Sequence, residues 1–111
     1  MIRRDLHQHN RRTWDAATTA HNSHKRDQAG FLRAGGTTLF DEEVHLLLGT
    51  GAEGPVLEGI HARGERPLAG RRLLHAPCNA GQDTLSLALL GADVTGVDIS
   101  PVAIDSAAAL A

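Results

Sequence analysis

The chain has little of what stabilises small domains by means other than packing. A single cysteine, Cys78, in 111 residues excludes an internal disulfide and any zinc module built from four thiolates. The aromatic residues are Trp14, Phe31 and Phe40 alone, with no tyrosine, so a core has to be assembled from Leu, Val, Ile and Ala. Long apolar runs are missing too. Stretches such as Leu46-Leu47-Leu48 and Leu87-Ala88-Leu89-Leu90 fall far short of the roughly 20 residues needed to cross a bilayer. The basic start, Met1 to Asp5, is not followed by the apolar stretch of a secretory signal, and the expected location is cytoplasmic.

What is present is an ordinary globular mix. Apolar residues make up 41% and charged residues 22%, and Leu, Ile, Val and Phe together supply 26 of the 111 residues, which argues against wholesale disorder. The length allows one small domain at most. The net charge of −2 is unevenly placed: residues 1–33 are basic and residues 34–111 acidic. The basic arm is read as a solvated surface rather than a nucleic-acid site, because acids are interspersed in it.

The first 48 residues read as a helical arm or cap. Residues 1–12 are polar and look like a mobile arm. Trp14, Ala17 and His21 fall at i, i+3, i+7, which predicts a helix from Arg11 to about His24. Gly30 to Gly36 reads as a broken loop around Phe31 and Leu32. Asp41-Glu42-Glu43 places acids in a first helical turn, Val44, Leu47 and Leu48 follow at helical spacing, and Gly49 is the stop, so Asp41 to Leu48 is a short amphipathic helix. Residues 49–70 carry six glycines and two prolines and read as a linker without long regular structure, with room for one or two helical turns over Val56 to His61.

After Gly70 the pattern changes. Arg72 to Pro77 is a short extended run, and Cys78-Asn79-Ala80-Gly81 is a turn. Asp83 to Leu90 is an amphipathic helix stopped by Gly91. Asp93 to Asp98 is a β-branched second strand. Ser100-Pro101 starts a further helix, with Ser as N-cap and Pro at the first helical position, and Val102 to Ala111 continues it. Two strands joined by a helix must be parallel, with a right-handed crossover. Residues 71–111 are therefore expected to open a Rossmann-like α/β parallel sheet. The turn after the first strand presents backbone N–H groups at a helix N-terminus, where an anionic or dipolar ligand is favoured and a glycine such as Gly81 admits close approach. Asp98, at the end of the second strand, is placed to accept hydrogen bonds from two ribose hydroxyls.

The stretch from Leu73 to Asp83 resembles the first motif of class I S-adenosylmethionine-dependent methyltransferases. The stretch Gly91-Ala92-Asp93-Val94-Thr95-Gly96-Val97-Asp98-Ile99-Ser100-Pro101 resembles their second motif, with an acid, an apolar residue and Ser-Pro opening the next helix. The first motif departs from the family's pattern: His75 stands where an acid is usual, and Pro77 and Asn79 stand where glycines are usual. Residues 10–48 resemble, more loosely, the N-terminal cap of small-molecule methyltransferases of this group. The resemblance implies S-adenosyl-L-methionine as cofactor, with Asp98 on the ribose, Ile99 against the adenine, and Cys78, Asn79 and Gly81 under the methionine part. It implies methyl transfer to a small-molecule acceptor, a reaction that depends mostly on holding nucleophile, carbon and sulfur in line. It also implies a seven-stranded sheet. The chain is accordingly expected to be the front part of a larger domain, inactive alone. Two alternatives stand beside this reading: an NAD(P)-binding Rossmann oxidoreductase, for which Pro77 to Gln82 is a poor G-x-G-x-x-G, and a non-catalytic truncated product.

Other residues are given structural roles. Seven histidines, including the pairs His7/His9 and His21/His24, lack the third ligand a metal site would need. Cys78 is read as a turn residue beside the cofactor rather than a nucleophile, since no base accompanies it. Trp14 is read as packing, with stacking on a ligand as the alternative.

Overall fold

A computed structural model describes residues 3–23 and 27–111. Five helices and a two-stranded parallel sheet are present among them: α1 (Arg4–Asn22), α2 (Gln28–Arg33), α3 (Asp41–Leu48), β1 (Arg72–His75), α4 (Gln82–Leu89), β2 (Asp93–Gly96) and α5 (Pro101–Leu110). The strands pair in the register Arg72 to Asp93, Leu73 to Val94, Leu74 to Thr95 and His75 to Gly96. The expected strand–turn–helix–strand–helix order over the last 40 residues is present, and element ends fall within two residues of those predicted.

Two expectations for the N-terminal part are corrected. Residues 4–10, expected to be part of a mobile arm, are helical, and α1 begins at Arg4 rather than Arg11. Polarity says which face is wet, not whether the backbone is helical. This stretch has no Gly or Pro, so nothing stops propagation once the helix is nucleated. The expected end near His24 lies outside the described residues, as do Met1 and Ile2. The stretch around Phe31 and Leu32 is the short helix α2 rather than a loop. Asp27 caps it, its carboxylate accepting from the Gly30 N–H at 2.9 Å, and Leu32 is buried. The glycine count hid that cap.

The core is drawn from residues 39–92, with α1 and α5 outside it. Leu39, Val44, Ile60, Leu68, Leu87, Leu90 and Ala92 form one buried cluster. Residues 49–70 hold no helix or strand, as their density of breakers implies, yet they supply Ile60 and the fully buried Leu68. Asp41 holds this segment against α3: its carboxylate accepts from the N–H groups of Val56 and Leu57, both at 2.9 Å.

The sheet is one-sided. Leu73, His75, Val94 and Gly96 face inward, while Arg72, Leu74, Asp93 and Thr95 face outward, and Leu74 is 71% exposed. Parallel sheets are usually covered on both faces; here the second face is open. Helix α1 packs along α5 and buries only Thr18. The radius of gyration is 15.6 Å, against about 13 Å for a compact domain of this length, consistent with a long helix lying on the body rather than in it.

Candidate functional site

The site is built at the carboxyl ends of the two strands. Backbone pairing runs past them: Val97 N–H donates to the His75 carbonyl at 3.0 Å, and Cys78 N–H to the Val97 carbonyl at 2.9 Å. This brings the turn 78–81 beside the loop 97–100. Asp98 ties the two together. Its Oδ2 accepts from the Asn79 N–H and its Oδ1 from the Ser100 N–H, each at 2.9 Å. Each carboxylate oxygen keeps a further lone-pair site for a ligand hydroxyl.

Asn79 adopts φ 50° and Gly81 φ 85°, the left-handed conformations that turn the chain into α4. Asn tolerates this region better than most residues. Gly81 has a second reason to be glycine. A Cβ placed on it would come within 2.6 Å of the Ala107 Cβ on α5, so the close approach it permits is to a neighbouring helix. Gly96 is similar: a Cβ there would sit 3.0 Å from that of Cys78.

A cavity of about 260 Å³ lies between α1 and this turn, lined by Trp14, Ala17, Thr18, His21, Asn79, Ala80 and Gln82. Of the five residues expected to touch a cofactor, Asn79 lines this cavity and Asp98 is bonded to it. Ile99 is exposed nearby in sequence but does not line it. Cys78 and Gly81, the two ends of the turn, are buried. Burial pushes the Cys78 thiol pKa up, and the negative charge of Asp98 adds to the effect. This is the opposite of the activation a nucleophilic thiol requires. His75 does not substitute for a free acid: its Nδ1 is engaged with Thr84 Oγ1 at 2.7 Å.

The packing role read for Trp14 is corrected. The indole is 46% exposed and borders the cavity. The stripe Trp14, Ala17 and His21 was legible as one helix face, but the face looks onto the turn rather than into the core. Ala80 and Gln82 carry no side-chain signal that could have singled them out. Two polar contacts fasten α1 to α5. Ser100 Oγ donates to the Asp15 carboxylate, and Asn22 Nδ2 donates to Ser106 Oγ at 2.9 Å.

A larger hollow, about 830 Å³, lies between α3 and residues 49–55 and contains none of the expected site residues. His45 borders it, with Nε2 against the Gly54 carbonyl at 2.8 Å. Among the described residues no cluster of three His, Cys, Asp or Glu could hold a metal ion, and no helix is long and apolar enough to cross a membrane; His24 lies outside them. No family model, curated protein or solved structure matches the chain.

Proposed function

We propose that residues 71–111 contribute to a Rossmann-like, S-adenosyl-L-methionine-binding unit of the class I methyltransferase type, and that α1 covers part of its cofactor site. The observation that carries this reading is Asp98. It is a strand-end carboxylate with unused acceptor capacity, and its hydrogen bonds fix the spacing between the turn 78–81 and the loop 97–100. In this reading Asp98 accepts hydrogen bonds from the ribose hydroxyls and Ile99 packs on the adenine. Asn79 lies under the methionine end, which enters the cavity below Trp14, with Cys78 and Gly81 as the buried ends of the turn. The cavity is slightly smaller than the roughly 300–1,000 Å³ usual for ligand pockets, which suits one end of the cofactor rather than all of it.

The bound cofactor supplies an electrophilic methyl on a sulfonium sulfur. The chain's own contribution is orientation and exclusion of water: the Asp98 carboxylate sets the ribose, and Trp14 and His21 close the cavity on the α1 side. The acceptor is a small molecule reaching the cavity from its open side. Dinucleotide binding has less support. A pyrophosphate needs glycines open to it in the turn, and the one glycine there is filled from behind by Ala107.

The test is titration with S-adenosylhomocysteine, read by the fluorescence of Trp14, the chain's single tryptophan. Saturable binding that weakens by at least about tenfold in Asp98→Ala, the cost of losing charge-assisted hydrogen bonds, supports the reading. Binding that is absent, or indifferent to Asp98, overturns it.

A further inference from the structure

Helix α1 is 19 residues long, about 28 Å at 1.5 Å per residue, yet it buries one side chain, Thr18. So little burial cannot hold an element of this size by apolar packing. Its attachment is to α5, and two side-chain hydrogen bonds mark that attachment two turns apart on α1. At one end the Asp15 carboxylate accepts from Ser100 Oγ. At the other, Asn22 Nδ2 donates to Ser106 Oγ at 2.9 Å.

The Asp15 end is the more consequential. Ser100 is fully buried, and its Oγ also accepts from the Ala103 N–H at 3.1 Å as the N-cap of α5. Asp15 thus brings a carboxylate from another element to the N-terminus of a ten-residue helix, where negative charge is favoured. The backbone N–H of the same Ser100 donates to Asp98, and Asp98 in turn holds Asn79. A chain of hydrogen bonds therefore runs from α1 through Ser100 to Asp98 and the turn. The residues of α1 that roof the cavity, Trp14, Ala17, Thr18 and His21, lie beside and between the two attachment points.

We propose that α1 is a lid, clasped to α5 by Asp15–Ser100 and Asn22–Ser106, whose release uncovers the cavity above Asn79, Ala80 and Gln82. Elements with few buried contacts open locally at a small fraction of the global unfolding free energy, so the clasp sets how often the cavity is accessible. That the cavity then admits a cofactor rests on the methyl-transfer reading; the clasp itself does not.

Hydrogen–deuterium exchange of the whole chain separates the two. In Asp15→Ala, α1 amides should exchange about tenfold faster, or about 1.4 kcal/mol in the opening equilibrium, as expected for one charge-assisted hydrogen bond at a partly exposed site. Amides of α4 and β2 should be unchanged. Asn22→Ala should act in the same direction and less. Alanine favours helix more than either residue it replaces, so faster exchange cannot arise from a weaker intrinsic helix. Unchanged or slower α1 exchange in Asp15→Ala overturns the clasp. S-adenosylhomocysteine should slow α1 exchange in the unsubstituted chain. If it does not while Asp15→Ala still accelerates exchange, the clasp stands and the cofactor assignment falls.

Discussion

Replacing Gly81 with alanine tests why the turn contains a glycine. Two costs are expected. The backbone there has φ 85°, and a residue with a Cβ is disfavoured in the left-handed region by roughly 1–2 kcal/mol. The new Cβ would also stand 2.6 Å from that of Ala107, and overpacking of this kind costs about 1–3 kcal/mol. Together Gly81→Ala should lose about 2–5 kcal/mol, a large share of the ~5–15 kcal/mol that stabilises a small domain. Gly49→Ala is the control. Gly49 has φ 68° and nothing within 4 Å of a built Cβ, so it carries only the conformational part, roughly 1–2 kcal/mol. Urea unfolding of Gly81→Ala, Ala107→Gly and the double variant completes a cycle. Ala107→Gly alone should cost about 1 kcal/mol of helix propensity, and the double variant should be more stable than additivity predicts by about 1 kcal/mol or more. A Gly81→Ala variant no worse than Gly49→Ala, with no coupling to Ala107, would refute the packing explanation. It would return Gly81 to a residue kept for a ligand.

Two further outcomes follow from charged and titrating groups. The N–H groups of Val56 and Leu57 stabilise the ionised form of Asp41 and hold its carboxyl below the usual carboxylate range. A depressed folded-state value contributes stability that is present above the unfolded value, about 4, and is lost as pH falls through the folded one. The melting-temperature difference between the unsubstituted chain and Asp41→Asn should therefore be constant above about pH 5 and shrink at lower pH; a difference independent of pH contradicts this. For Cys78, burial and the neighbouring Asp98 charge both raise the thiol pKa. Iodoacetamide should alkylate it far more slowly in the folded chain than in urea, and equal rates would show that the turn is open.

The C-terminal part was legible because its signals are local. Gly91, the β-branched run after Asp93, and Ser100-Pro101 fix strand and helix ends through backbone preferences that tertiary context does not override. The helix of residues 41–48 was legible for the same reason, from its acids in the first turn and its glycine stop. The N-terminal part was not. Polarity hid the first half of α1, and Gly30 hid α2, whose formation depends on the Asp27 cap. At the candidate site, motif and spacing place Asp98 and Asn79 at the strand ends, where the structure joins them by a hydrogen bond. The clasp was not legible, because Asp15 and Ser100 are 85 residues apart and nothing in either local sequence announces the other. The sequence marks Gly81 as a position that admits close approach, and the turn also uses its conformational freedom at φ 85°. Its contact with Ala107 could come only from the packing of α5.

Isothermal titration calorimetry of the full chain with S-adenosylhomocysteine, with NAD⁺ as comparison ligand, decides whether residues 71–111 hold a methyl-donor cofactor. One saturable site for S-adenosylhomocysteine is expected, weakened by at least about tenfold in Asp98→Ala, with no heat of binding with NAD⁺. Binding of NAD⁺ in preference, or of neither ligand, would contradict the methyl-donor reading.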